Sequence, residues 1–167
     1  MATWVINNHE AGIQAITETS MARNHPLGKK VKATDISLTT PLECEFIYLK
    51  GLGSTAVGTV VHYNLADGST ALAAANAVGP VAVSMSANVA NQYGWYQIYG
   101  LASALTANDV ADNAYVYGAG SGTIDDAGVD GDMIHNAKFA AARTGAGLVN
   151  VEIYYPYSDD IATNDPA

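Results

Sequence analysis

Residues 93–100, YGWYQIYG, decide the fold. Trp95, Gln97 and Tyr99 alternate with Tyr96 and Ile98, the two-residue period of an extended chain with two distinct faces. Aromatic and β-branched side chains dominate the stretch, and these fit a pleated surface better than a helix. Working outward, runs of the same kind recur between turn signals. Residues 80–86 (PVAVSMS) alternate between two faces, and residues 57–63 (VGTVVHY) precede them, closed by the Asp67-Gly68 turn signal. Residues 46–50 (FIYLK) end in the glycine-rich 51–54, and residues 31–37 alternate modestly. Downstream come 101–111, read as strand and loop, then 113–117 (NAYVY) and the glycine-rich connection 118–122. In 149–157 (VNVEIYYPY) the period puts Val149, Val151, Ile153 and Tyr155 on one face and Glu152 on the other. Helical signals are weak: 72–77 and 139–142 are alanine-rich but carry little amphipathic stripe. The expected fold is all-β, a small β-barrel or sandwich.

The rest of the chain frames this body. Residues 1–28 read as an N-terminal arm, 29–157 as the β-rich body and 158–167 as a loose acidic C-terminal tail. The arm holds a lone apolar patch at Trp4, Val5 and Ile6. A helical turn around Ile13 and Ile16 follows, then a breaker cluster at 24–28. So few large apolar groups cannot make a core of their own, so the arm is expected to be mobile when free, the alternative being that it packs on its own body as an extra strand. The body lacking residues 1–25 is then expected to keep its fold. At 167 residues the chain fits one domain with tails.

Composition excludes several classes. Charged residues are only 14% of the chain and hydrophobic residues 49%, which argues against disorder. Net charge is −9, without the basic footprint that nucleic-acid binding needs. Its distribution is uneven: residues 1–32 carry +2 and residues 33–167 carry −11, as if the two parts faced different partners. No apolar run approaches the ~18 residues of a membrane span, and the N-terminus shows no signal-peptide pattern. One cysteine, Cys44, cannot form an internal disulfide.

Few residues offer chemistry. Asp125, Asp126, Asp130 and Asp132 crowd one loop, but the spacing departs from a calcium loop and no glutamate closes it. An acidic turn is the simpler reading. His9, His25, His62 and His135 show no metal-binding spacing. Cys44 sits between Glu43 and Glu45, which discourage a thiolate. The chain thus reads as neither an enzyme nor a cofactor binder. A small hydrolase would need a nucleophile and base, and the sequence pairs none. Tyrosine is the unusual feature: ten Tyr against two Phe and two Trp. Its apolar body and polar tip suit half-buried strand faces and subunit contacts, or a sugar-binding platform.

Four stretches carry a resemblance: PLGKKVKATD (26–35), FIYLKGLGST (46–55), GPVAVSMSANVANQYGWYQIYG (79–100) and VADNAYVYGAGSGTIDDAG (110–128). Together they resemble the small head decoration, or cement, proteins of tailed phages. The likeness spans roughly residues 26–157 and rests on turn and strand signatures. It implies a structural virion protein on the capsid outer surface, bound to the major capsid protein, self-associating there and reinforcing the shell. Within that expectation, Trp4, Val5 and Ile6 fill an apolar groove on the capsid protein, or the segment adds a strand to a capsid sheet edge. Arg23, Lys29, Lys30 and Lys32 meet acidic side chains at the rim. The competing expectation is a virion-displayed carbohydrate-binding module or adhesin, which would hold a row of aromatics open to solvent.

Overall fold

The structure, a computed structural model, describes residues 2–7 and 12–160. Twelve strands make up its regular structure, and no helix occurs among the described residues. They are β1 (Trp4–Ile6), β2 (Thr19–Ser20), β3 (Lys30–Asp35), β4 (Leu42–Lys50), β5 (Val60–Tyr63) and β6 (Thr70–Leu72). Then follow β7 (Gly79–Ser84), β8 (Tyr93–Thr106), β9 (Tyr115–Gly120), β10 (Thr123–Asp125), β11 (Met133–Phe139) and β12 (Gly147–Ser158). All belong to one mixed sheet.

The aromatic stretch at 93–100 is the first half of β8, the axis of the molecule. The first half of β8 pairs with β4, from Tyr93 opposite Lys50 to Tyr99 opposite Glu45. Its second half pairs with β12, from Tyr99 opposite Tyr154 to Thr106 opposite Gly147. β2, β7 and β10 also bond to it. Following the pairings from β8 through β12, β11, β9 and β10 leads back to β8. The sheet therefore curls on itself, but a single parallel pair, Ile124 with Thr106, makes the closure, so this is not a regular barrel.

Strands buried on both faces explain the near-continuous apolar runs of β4 and β8. On one side Phe46, Tyr48 and Trp95 pack with Val31, Ala33 and Ile16. On the other, Ile47, Leu49, Tyr96 and Ile98 pack with Val61 and Ala82 of β5 and β7. The second half of β8 contributes Ala102 and Ala104 to a separate cluster with Phe139, Val149, Val151 and Ile153.

The arm expectation is corrected here. Within 1–28, residues 2–7 and 12–28 are built into the body. β1 pairs antiparallel with β3, Val5 opposite Thr34. Trp4 meets Phe46 edge-on at 5.0 Å, and Ile6, Ile13 and Leu27 pack on the same cluster. Gln14 ties the segment down. Its Nε2 donates to the Glu18 and Tyr93 carbonyls, and its Oε1 accepts from Asn24 and from the Tyr48 hydroxyl. Its main-chain carbonyl accepts from Trp95 Nε1 at 2.9 Å, and its N–H donates to His25 Nε2 at 3.1 Å. Every polar group of Gln14 is thus partnered, as burial requires. The physical reason for the difference lies on the body. The segment has few apolar groups, but it covers a face that carries Trp95, Tyr48 and Phe46. The tail boundary also moves: β12 runs through Ser158, which is buried, and residues 161–167 lie outside the described residues. His9 and Glu10 lie outside them too.

Candidate functional site

The outward face of β12 begins as a regular alternation. Val149, Val151 and Ile153 point into the core, and Asn150, Glu152 and Tyr154 point out. At Tyr155 the pattern slips. Its φ is 48°, a left-handed conformation that bulky residues seldom adopt. The extra residue leaves Tyr154 and Tyr155 both exposed and turns Pro156 inward. The facing strand is irregular at the same level. Asn136 of β11 has φ 59°, and the register jumps between His135 opposite Tyr157 and Ala137 opposite Ile153. Such bulges re-aim side chains.

An open groove of about 990 Å³ lies over this irregularity. Its floor crosses four strands in register: Tyr115 of β9 opposite Lys138 of β11, Lys138 opposite Glu152 of β12, and Glu152 opposite Leu101 of β8. Three tyrosines cluster at one end. Tyr99 and Tyr154 have ring centroids 5.3 Å apart, Tyr154 and Tyr155 5.3 Å, and Tyr99 and Tyr155 5.7 Å. The Tyr155 hydroxyl donates to Glu45 Oε2 at 2.6 Å. That carboxylate holds the phenolic proton and pushes the Tyr155 pKa up to about 12. Burial raises the Glu45 carboxyl, but the Tyr155 hydroxyl and Lys32 outweigh it and hold Glu45 below its ordinary value.

The structure scatters the seven residues read as a contact set. Trp4 and Ile6 send their side chains inward, so they do not form an apolar plug for another protein's groove. Val5 points out and is 47% exposed. Arg23 lines a surface hollow with Pro26, Leu65 and Asp67. Lys29 is half-buried at the turn into β3, its N–H bonded to the Pro26 carbonyl. Lys30 sits over the Tyr155 ring at 5.3 Å, and Lys32 bridges Glu43 at 3.0 Å and Glu45 at 3.3 Å. The tyrosine cluster thus gathers two of the seven. Sequence reading missed the groove itself, whose one legible signal was the consecutive Tyr154-Tyr155-Pro156.

β1 forms an outer edge of the sheet. Ile36 N–H donates to the Thr3 carbonyl and Asn7 N–H to the Lys32 carbonyl. In the antiparallel pattern this turns the main-chain groups of Trp4 and Ile6 away from β3. Among the described residues no strand pairs with that side. Val5, Ile36, Leu38 and Leu42 leave apolar surface around it. The edge is short, three residues, but carries no lysine, no proline and no bulge within Trp4–Ile6.

The remaining candidates are structural in their contacts. Asp126 accepts from the Ala111 N–H at 2.8 Å, Asp132 from Asn76 at 2.6 Å and Asp125 from Ala127 at 3.2 Å. These carboxylates fasten loops to different neighbours. No group of three His, Cys, Asp or Glu able to hold a metal occurs among the described residues. His62 Nε2 meets the Ser158 hydroxyl, but Ser158 is 3% exposed and His62 Nδ1 has no hydrogen-bond partner to orient it. Cys44 is buried in the aromatic cluster, and burial, with smaller contributions from Asp35 and Glu43, pushes its thiol up to about 11. Iodoacetamide at pH 8 is therefore expected to leave Cys44 unmodified in the folded chain and to alkylate it in urea. Modification at equal rates in both states would contradict its placement.

Comparison with protein-family models, with curated proteins and with solved structures finds no match for this chain.

Proposed function

We propose that this chain is a structural protein that decorates and reinforces the capsid of a tailed phage, bound to the major capsid protein on the outer surface. The observation that carries the proposal is the apolar edge of β1, with which no strand pairs among the described residues. An edge of this kind is a template for a strand from another chain, with main-chain hydrogen bonds giving affinity and Val5 giving specificity. The motifs that resemble head decoration proteins supply the identity of that other chain. Copies that bridge several capsid subunits gain by avidity, so modest individual contacts suffice, and self-association on the shell is part of the same reading.

Co-sedimentation with capsid shells tests this. The wild-type chain is expected to pellet with shells, and Val5→Lys to lose about tenfold or more in binding by placing a charge at the pairing edge. Val5→Glu, at the same exposed position but with the opposite charge, is expected to weaken binding in the same way. Both variants should keep the wild-type circular dichroism. Unchanged binding in both would refute docking through this edge.

A second reading, a virion-displayed carbohydrate-binding module, is favoured by the tyrosine-lined groove. It uses a different part of the surface.

A further inference from the structure

We infer that the groove across β8, β9, β11 and β12 is a binding site for a neutral oligosaccharide. Its shape comes first: it is concave and open, and its floor is a sheet whose strands are paired across it. Its lining comes second. Tyr99, Tyr115 and Tyr154 supply ring surface, with Tyr115 54% and Tyr154 61% exposed. Asn136, Asn150 and Glu152 supply planar polar groups. A pyranose ring presents an apolar C–H face and a rim of hydroxyls. Tyrosine rings match the first, and amides, which donate and accept together, match the second.

Charge comes third. Lys138 pairs with Glu152 at 3.4 Å, Lys32 with Glu43 at 3.0 Å, and His135 lies 3.4 Å from Asp159. Lys32 is shared with Glu45 at 3.3 Å as well, so both lysines in these pairs are held by carboxylates of this chain, and carboxylates outnumber them. The groove therefore offers an anionic ligand no spare cation, which disfavours an acidic saccharide. Backbone conformation comes fourth. Asn136 and Tyr155 both hold left-handed conformations beside the groove, which a bulky side chain such as Tyr adopts only at a cost in strain. A regular alternation would put Tyr155 on the face of Ile153; the left-handed residue turns Pro156 to that face instead. Its effect is to leave Tyr154 against Tyr99 with Tyr155 as an outward brace. Strain of this kind collects where a surface is shaped for a ligand.

The site does not depend on capsid attachment, so the isolated full chain tests it. The probes are maltohexaose, cellohexaose, chitohexaose and mannohexaose, with a sialic acid hexamer as the anionic control, followed by calorimetry and nuclear magnetic resonance titration. Saturable binding of at least one neutral hexasaccharide is expected. Tyr154→Ala and Asn150→Ala should each weaken it about tenfold or more, whereas Tyr154→Phe, which keeps the ring, and Tyr157→Ala, outside the groove, should stay within about threefold. These are exposed positions, and amide spectra of each variant report whether the fold is kept. Four results would overturn the inference: no saturable binding of any neutral probe, binding of the sialic acid hexamer alone, full binding by Tyr154→Ala, or self-association that Tyr154→Ala abolishes. The last would make the groove a contact between copies.

Discussion

A chain that starts at residue 29 is expected to lose its cooperative unfolding transition. Trp95, Tyr48 and Phe46 are each 0% exposed, and the described residues among 2–28 form one side of their enclosure. Returning a large apolar side chain to water costs about 1.5–3 kcal/mol, so three cost roughly 5–9 kcal/mol, against a total domain stability of about 5–15 kcal/mol. The Gln14 contacts to Tyr48, Tyr93 and Trp95 disappear with the segment. Thermal denaturation followed by near-ultraviolet circular dichroism checks this, because Trp95 and Tyr48 should lose their fixed environment. Gln14→Ala should show a milder form, a loss of about 2–4 kcal/mol, since it takes the acceptor from the Tyr48 O–H and the amide donor from the Tyr93 carbonyl. A truncated chain that melts within a few degrees of the full one would contradict the packing described here.

Gly100→Ala is expected to be strongly destabilising for the addition of a single methyl group. Gly100 lies where β8 passes from β4 to β12, and its φ is 101°. A side chain there is strained by backbone conformation alone, at about 1–2 kcal/mol. It also has no room: a Cβ would fall 2.6 Å from Cys44 Sγ and 3.1 Å from the Glu43 carbonyl oxygen. Overpacking adds about 1–3 kcal/mol, so the loss is expected to be roughly 2–5 kcal/mol in urea denaturation. The two causes separate experimentally. Adding Cys44→Ala to Gly100→Ala should recover the steric part and leave the conformational part. If Gly100→Ala alone were neutral, the pivot in β8 would be misplaced.

Both effects bear on what the sequence made legible. The all-β class was readable because β4, β7, the first half of β8 and most of β12 show their alternation or continuous apolar character openly. β11 was missed because Asn136 sits in a bulge: Ile134 and Phe139 are both buried, but the five-residue step between them fits no two-residue period. Tyr155 was placed on the inner face with Val149, Val151 and Ile153 for the same reason. The left-handed residue that moves it outward leaves no mark in an alternation count. The glycine-rich 118–122 read as a connection, whereas Gly118 and Gly120 belong to β9 and form a hairpin with β10. β1 was legible as an apolar patch but not as part of the body. Counting apolar groups inside a segment says nothing about how much aromatic surface waits elsewhere to be covered.

The candidate surfaces were legible in part. The tyrosine excess reads as half-buried strand faces and subunit contacts or as a sugar-binding platform, and four of the ten tyrosines (Tyr99, Tyr115, Tyr154 and Tyr155) lie at the groove or its rim. Lys30 and Lys32 were singled out as rim charges, and they do stand on the outer face, where Tyr155, Glu43 and Glu45 hold them. Their role as partners of an outside acidic surface is less direct than the sequence suggests, because this chain supplies carboxylates of its own.

The most direct test of the central claim is cryo-microscopy of capsids assembled with and without this chain. The account predicts added density on the outer surface of the shell, with the free side of β1 bonded to a strand of the capsid protein and Val5 at the contact. Shells that gain no density, or density in which the β1 edge faces open solvent, would contradict it.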